Sequence, residues 1–237
     1  MWRIIHSNQQ SAQYYMDLDA KLLKFMKRDD HPILHFYDWI QPSMTYGYFI
    51  DPSRFINLKK AKQIGLDYAR RPTGGGMIIH SWDLTFSILL PASHPSFSLN
   101  TLDNYHFINS AVKMTLNHFF KSHPKHPLSL LQEETPSLDP QSHYFCMAQP
   151  TQYDVMFKNK KIAGGAQRRR KEGFLHQGSI TIATPDKHFI ENVLLPHTKQ
   201  VYQAMLLNTY PLCQSRIELE TMRTELKRLL EESLTHA

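Results

Sequence analysis

The spacing of apolar residues along the chain predicts several helical regions. The clearest covers about residues 103–120, where Asp103 opens an amphipathic pattern with apolar side chains three and four positions apart. The others are residues 13–27, residues 55–63 ending before Gly65, and a C-terminal region that is interrupted by Pro196 and Pro211 and whose last helix is capped by Ser215.

Short apolar and aromatic runs bounded by turn residues predict β-strands between these helices. Residues 77–79 and 84–90 form two such runs joined by residues 80–83, and residues 153–157 with 161–163 predict a hairpin. Residues 121–142 contain four prolines and little periodicity, which predicts a long surface loop. The remaining predicted strands are residues 2–5, 33–37, 45–50, 66–69 and 174–183.

Together these elements predict an α/β (α+β) fold in which helices pack on a mixed β-sheet. The 237 residues are enough for one large domain or two small ones, and the apolar fraction of 41% supplies ample core. No repeat, low-complexity tract or linker divides the chain. We therefore expect a single domain over residues 1–237, with no separate C-terminal accessory domain.

Composition narrows the range of functions. Because the chain has no run of eighteen apolar residues and no signal-like N-terminus, we expect a soluble cytoplasmic protein with no membrane partner. The two cysteines, Cys146 and Cys213, lack the spacing of disulfide scaffolds or zinc sites, so no metal site is predicted. The net charge of +6 is dispersed apart from residues 168–171, RRRK, and no basic and aromatic platform indicates nucleic-acid binding.

The strongest candidate for function is the run of three glycines at residues 74–76. Each glycine costs about 0.5–1 kcal/mol relative to alanine in an ordered element, so the run indicates a backbone that must turn tightly or admit a ligand. Backbone N–H groups there can bind a phosphate, an acyl carbonyl or a developing oxyanion. A glycine-rich turn is the alternative, and the run matches neither the P-loop nor the dinucleotide-binding fingerprint.

Ionisable residues flank the glycines on both sides. Arg70 and Arg71 precede them, whereas His80 and Asp83 follow, which brings cations and a titratable pair to the same strand ends. This grouping predicts an anion-binding pocket. Taken singly, His80 is also consistent with a turn histidine and Asp83 with a turn cap.

Three blocks of sequence extend the pattern around this pocket. Residues 70–87 are RRPTGGGMIIHSWDLTFS, residues 161–168 are KIAGGAQR, and residues 175–180 are LHQGSI. They closely resemble the R-R-x-[ST]-G-G-G-x-V-x-H-x-x-D-L-T-[YF]-S, K-[IV]-x-G-x-A-[QY]-R and x-H-H-G-[ST]-[IL] motifs of the lipoate-protein ligase and octanoyltransferase family. Trp39, Pro42 and Gly47 also fall where that family has W-x-x-P-x-x-x-x-G, so the resemblance covers about residues 15–183 in chain order.

The resemblance implies an α/β catalytic domain related to that of biotin ligases, in an enzyme that attaches a lipoyl or octanoyl group to a lysine of lipoyl-domain proteins. It places Lys161 against the acyl carbonyl, where a fixed ammonium neutralises developing negative charge. An exposed hairpin lysine is the ordinary alternative. The residues implied to bind the acyl group or a nucleotide are Arg71, Thr73, Gly74, Gly75, Gly76, Met77, Ile78, Ile79, His80, Ala166, Arg168 and His176.

Two chemistries share this scaffold. In ligases, lipoate and ATP with Mg2+ give an acyl-adenylate that the target lysine attacks, whereas in one octanoyltransferase branch a cysteine takes the chain from acyl carrier protein as a thioester. Residues 146–154, CMAQPTQYD, resemble the C-x-x-x-P-[ST]-x-Y-[DE] segment of that branch. A nearby cation favours the nucleophilic thiolate, so we favour Cys146 and Lys161 as catalytic residues. An inert, buried Cys146 is the alternative, and Cys213 is interpreted as structural.

The implied acceptors are lipoyl domains of 2-oxoacid dehydrogenase complexes or the glycine cleavage H protein, and no tightly bound cofactor is implied. Residues 168–171 are either a solvated turn or a docking site for an acidic lipoyl domain, an acyl carrier protein or ATP phosphates. Two positions depart from the family pattern. Gln177 stands where many members have the second histidine of H-H-G, and Gly165 replaces a commoner serine or threonine. A biotin ligase and a non-catalytic acyl-binding protein are the competing functions.

Overall fold

The computed structural model describes residues 1–120, 127–134, 139–213 and 217–235. Within these ranges the strands are β1 (Arg3–His6), β2 (Ile33–Phe36), β3 (Ser43–Tyr46), β4 (Asp67–Arg70), β5 (Met77–His80), β6 (Asp83–Pro91), β7 (Leu128–Leu130), β8 (Val155–Phe157), β9 (Lys160–Arg170) and β10 (Gly173–Thr181). The α-helices are α1 (Ala12–Phe25), α2 (Leu58–Gln63), α3 (Thr101–Phe119), α4 (Lys187–Val193), α5 (Gln200–Asn208) and α6 (Leu219–Thr235).

The strands form two sheets. The larger has seven strands in the order β1-β2-β6-β10-β9-β8-β7, with β1 and β2 parallel and the other neighbours antiparallel. The smaller has the order β4-β3-β5, with β3 parallel to β4 and antiparallel to β5. The predicted α/β class, with mixed strand directions and packed helices, is confirmed.

The prediction of one sheet was wrong, because β5 and β6 are consecutive in the chain but belong to different sheets. Strand β5 pairs with β3, whereas β6 lies between β2 and β10 in the larger sheet. All nine residues of β6 are buried, as expected for a central strand that is covered on both faces. Residues 81–82 therefore carry the chain from the smaller sheet to the larger one.

Helices cover both faces of the larger sheet. Helices α3 and α6 pack on one face around a core that includes Ile88 and Leu230, and α1 packs on the other face, with Leu23 near Leu175. A second core joins the smaller sheet to α4 and α5 and includes Met77. None of the helices in the described ranges is both long and apolar enough to cross a membrane.

Two element boundaries differ from prediction for local reasons. The strand predicted at residues 45–50 is β3 and ends at Tyr46, because residues 48–49 form a turn in which the Ile50 N–H donates to the Gly47 carbonyl at 3.0 Å. Helix α3 begins at Thr101 instead of Asp103, since the Asn100 side chain accepts the N–H of Leu102 at 3.1 Å.

The predicted long loop and charged turn are also corrected. Strand β7 interrupts residues 121–142 and pairs with β8, while residues 121–126 and 135–138 lie outside the described residues, as does the predicted helix cap Ser215. Residues 168–170 are not a turn, because β9 continues to Arg170 in register with β10. The predicted hairpin strand at 161–163 is thus the beginning of an eleven-residue strand.

Candidate active site

A cavity lined by residues of both sheets contains most of the predicted chemistry. The glycine loop and β5 contribute Arg71, Gly75, Gly76, Ile78 and His80. Strand β9 contributes Lys161 and Ala166, and the segment before β8 contributes Cys146. Residues from three separate sequence motifs therefore line the same cavity.

Cys146 reaches the cavity because its backbone is attached to β5. The Cys146 N–H donates to the Met77 carbonyl at 2.9 Å, which extends the smaller sheet by one bridge between Met77 and Phe145. The approach is close at Gly76, where a Cβ atom would lie 2.5 Å from the Tyr144 carbonyl oxygen. The third glycine of the loop therefore allows the cysteine segment to lie against β5. Cys146 is a free, partly buried thiol.

Lys161 is held by a buried carboxylate that the sequence analysis did not predict as a site residue. Its Nζ lies 2.7 Å from Asp154 Oδ2, and the side chains are 12% and 2% exposed. Burial raises the pKa of Asp154, although the Lys161 ammonium and hydrogen bonds from Thr151 act in the opposite direction. Gly164 makes room for the pair, since a Cβ there would lie 2.0 Å from Asp154 Oδ1 and 2.8 Å from Lys161 Cε. The ammonium is thus fixed over Gly164 on the cavity wall.

Arg71 is buried and directs its donors to the backbone of the glycine loop. Its NH2 group donates to the Gly74 and Gly76 carbonyls at 3.1 and 2.7 Å, and its NH1 group donates to Thr45 Oγ1 at 2.9 Å. Gly75 between them has φ +83°, a left-handed conformation that favours glycine. Arg71 therefore shapes the loop as well as lining the cavity.

His80 and Asp83 form a buried pair that extends to Arg71. His80 Nδ1 lies 2.7 Å from Asp83 Oδ2, and His80 Nε2 lies 2.8 Å from Thr45 Oγ1, the same oxygen that accepts from Arg71. Burial raises the pKa of Asp83, but the neighbouring imidazole and the hydrogen bonds from His80 and Ser179 outweigh it, so the pKa is below its usual value. His80 and Asp83 are therefore linked through Thr45 to Arg71, which holds the glycine loop. Thr45 was also missed by the sequence analysis.

Met77 and Ile79 do not line the cavity, because side chains alternate along β5. Ile78 and His80 face the cavity, whereas Met77 and Ile79 are buried in the second core. Their predicted contact with an acyl group or nucleotide stays a prediction.

Thr73, Gly74 and Arg168 support the cavity from outside its lining. Thr73 donates to Gln177 Oε1 at 2.8 Å, and the Gly74 carbonyl accepts from Arg71. Arg168 is exposed and donates to the Pro72 carbonyl at 3.1 Å. Among the ranges that the structure describes, no cluster of three or more His, Cys, Asp or Glu is placed to hold a metal ion.

His176 is fully buried beside the cavity and does not line it. Burial lowers the pKa of His176 to about 3, so its imidazole is neutral in the folded protein at neutral pH. Its Nδ1 lies 2.9 Å from Gln167 Nε2. A Cβ at Gly165 would lie 2.3 Å from His176 Nε2, so the glycine at this position accommodates the ring.

We expect His176→Asn to flatten the pH dependence of the unfolding free energy. The unfolded ring binds a proton below its usual pKa of 6.5, but the folded ring does so only near 3. As far as His176 is concerned, the unfolding free energy of the wild type is therefore highest above pH 6.5. It decreases as the pH falls toward 3, by up to about 1.4 kcal/mol per pH unit. Urea unfolding between pH 7.5 and 4.5 measures this slope. His106 is exposed, so His106→Asn should keep the wild-type slope. A wild-type slope in His176→Asn would contradict the prediction.

Comparison with known proteins supports the motif assignment. The model of the lipoyl protein ligase A/B catalytic domain matches residues 11–228. The chain is 31% identical over 182 residues to octanoyltransferase LipM of Staphylococcus epidermidis, which covers 76% of this chain and 65% of that protein. It is 27% identical over 213 residues to octanoyltransferase LipM of Bacillus subtilis, covering 87% and 74%. The chain thus spans about two thirds of the length of these relatives.

Solved structures show the same fold at lower identity. A lipoate-protein ligase A bound with ATP has a TM-score of 0.70 at 23% identity, covering 98% of this chain and 85% of that one. A bi-partite lipoate protein ligase, described with its E2 lipoyl domain, from Thermoplasma acidophilum has a TM-score of 0.69 at 23% identity, covering 99% and 84%. With the family model matched over nearly the whole chain, the protein belongs to the lipoyl protein ligase A/B catalytic domain family.

Proposed function

We propose that this chain transfers an octanoyl or lipoyl group to the lysine of a lipoyl domain through a thioester on Cys146. The observation that carries the proposal is that the Cys146 thiol and the Lys161 ammonium line one cavity with the glycine loop. The curated relatives with the name octanoyltransferase support the transfer of octanoyl. An ATP-dependent ligase is the alternative, and only that route uses ATP with Mg2+.

The chemistry has two steps. The Cys146 thiolate attacks the carbonyl carbon of the donor thioester, and the carrier leaves as a thiol after it takes up the proton that Cys146 gave up. The neutral amine of the target lysine then attacks the acyl-Cys146 carbonyl, the Cys146 thiolate leaves, and the amine proton returns to it. Lys161, fixed by Asp154, stabilises the negative oxygen that forms in each step.

A three-tube assay tests the proposal. An apo lipoyl domain is incubated with the protein and either octanoyl-acyl carrier protein, octanoate with ATP and Mg2+, or lipoate with ATP and Mg2+, and the products are weighed by intact mass spectrometry. We expect a mass gain with the carrier protein. A gain only in the ATP tubes assigns the chain to the ligases, and no gain in any tube assigns it to a non-catalytic binding role.

The basic end of β9 supports docking of an acidic protein partner. Two guanidinium groups lie near the Tyr48 ring, with the Cζ atoms of Arg70 and Arg168 at 5.9 and 5.6 Å from the ring centroid. The adjacent Phe49 is 90% exposed. Arg170 and Lys171 are exposed nearby, and no ion pair involves these four cations within the described part of the chain. Such a cluster of positive charge favours an acidic surface. We propose that it docks the acidic surface of a protein substrate.

Arg170→Glu combined with Lys171→Glu should raise KM for the protein substrate by about tenfold at low salt and leave kcat unchanged. The effect should shrink as salt increases, because the exposed charges are screened. Steady-state kinetics at two ionic strengths measure it. The matched control, Lys59→Glu with Lys62→Glu on α2, changes the same amount of charge elsewhere. Equal effects of the two pairs would exclude a specific docking site.

A further inference from the structure

The lining of the cavity follows the β9–β10 pair away from the reacting groups. Gly164, over which the Lys161 ammonium lies, pairs with Ser179, and Ala166 pairs with Gln177. Two residues of strand separate these positions, which is about 7 Å. The lining residues at the far end, Met16, Tyr37 and Gln177, are all buried. An acyl chain that starts at Lys161 and follows the strands therefore ends against them.

The Gln177 side chain is fixed at both ends of its amide. Its Nε2 donates to Asp19 Oδ2 at 2.9 Å and to the Tyr37 hydroxyl at 3.2 Å, and its Oε1 accepts from Thr73 at 2.8 Å. The backbone next to it packs closely against β6, because a Cβ at Gly178 would lie 2.4 Å from the Phe86 ring. Gln177 is therefore a rigid part of the cavity wall.

Buried polar groups behind Gln177 hold it in this orientation. Asp19 is fully buried and also accepts from the Tyr37 hydroxyl and from Ser87 at 3.0 Å, with His35 3.3 Å away. Burial, followed by the Asp19 charge, holds the pKa of Tyr37 well above its usual value, so the hydroxyl remains a donor. A rotation of Gln177 would leave two buried acceptors and one hydroxyl with fewer partners.

We propose that Gln177 is the end wall of the acyl cavity and sets the longest chain that the protein accepts, an inference that rests on the proposed function. A longer chain must push its terminal methyl against a fixed amide and break its hydrogen bonds. A single methylene that a pocket rejects changes kcat/KM by about tenfold or more. The histidine common in the family at this position is thus replaced here by a side chain that reaches Asp19, Tyr37 and Thr73 together.

A chain-length series tests the inference. Hexanoyl, octanoyl, decanoyl and dodecanoyl groups are offered on the same carrier protein with an apo lipoyl domain, and kcat/KM is measured for each. The wild type should prefer octanoyl, with decanoyl at least about tenfold slower. Gln177→Asn, which keeps the amide but is one methylene shorter, should raise the decanoyl-to-octanoyl ratio by about tenfold. Met16→Ala widens the same end without removing the Gln177 amide and should raise the ratio as well.

Gln63→Asn is the matched control, because it makes the same chemical change at an exposed residue of α2 that does not line the cavity. Its chain-length ratio should equal that of the wild type. The wild-type ratio in both Gln177→Asn and Met16→Ala overturns the end-wall inference. If no chain of any length is transferred, the proposed function fails, and calorimetric binding of the four free fatty acids then tests the end-wall inference separately. A limit on the length of the bound fatty acid that Gln177→Asn relaxes supports the inference. Binding without such a limit overturns it.

Discussion

Cys146→Ser should lower kcat for octanoyl transfer from carrier protein by at least about 1,000-fold, because a neutral serine hydroxyl is a much weaker nucleophile than a thiolate and cannot form the thioester. Serine keeps the shape of cysteine, and the Cys146 backbone bond to Met77 does not depend on the side chain. The fold should therefore be retained. Intact mass spectrometry after mixing with octanoyl-carrier protein should show an acyl adduct on the wild type and none on the variant.

The other cysteine supplies the control. Cys213 is also partly buried, but it lies outside the cavity, with its Sγ 3.5 Å from Glu218 Oε2. Cys213→Ser should retain both the acyl adduct and the transfer rate. If Cys146→Ser still transfers octanoyl from carrier protein at the wild-type rate, Cys146 is not the nucleophile and the thioester route is wrong.

Local pattern was sufficient for most individual elements of the fold. The apolar periodicity that predicted a helix over residues 13–27 corresponds to α1, and the largely apolar run at residues 84–90 corresponds to β6. The division into two sheets was not predictable in the same way, because the pairing of β3 with β5 and of β6 with β10 joins segments far apart in the chain. Hydrophobic pattern defines which face of a strand is buried and does not identify its partner.

The candidate site was predictable where consecutive residues form a motif and was missed where it depends on long-range contacts. The glycine run, Lys161 and Cys146 were found from the sequence, and the structure places them around one cavity. The partners Thr45 for Arg71 and Asp154 for Lys161 become visible only when the sheets are assembled. Strand alternation along residues 77–80 also predicts that Ile78 and His80 share one face of β5 and that Met77 and Ile79 share the other.

Lys161→Ala should abolish acyl transfer, with a loss of at least about 100-fold in kcat, because the negative oxygen of each tetrahedral intermediate loses its fixed cation. The fold should survive, since Asp154 can take up a proton when the ammonium is removed. Burial already raises the pKa of this carboxyl above its usual 3.8. Stopped assays with octanoyl-carrier protein measure the rate, and circular dichroism checks the fold.

The pH dependence of stability separates this account from simple misfolding. In Lys161→Ala the folded carboxyl of Asp154 has a higher pKa than the unfolded one, so its protonation favours the folded state. The contribution of Asp154 to the unfolding free energy of the variant should therefore be largest below pH 3.8. It should fall as the pH rises through the pKa that Asp154 has in the folded variant. Lys161→Ala with Asp154→Asn lacks the carboxyl and should lack this fall while staying inactive. Transfer at the wild-type rate by either variant would show that Lys161 has no part in the chemistry.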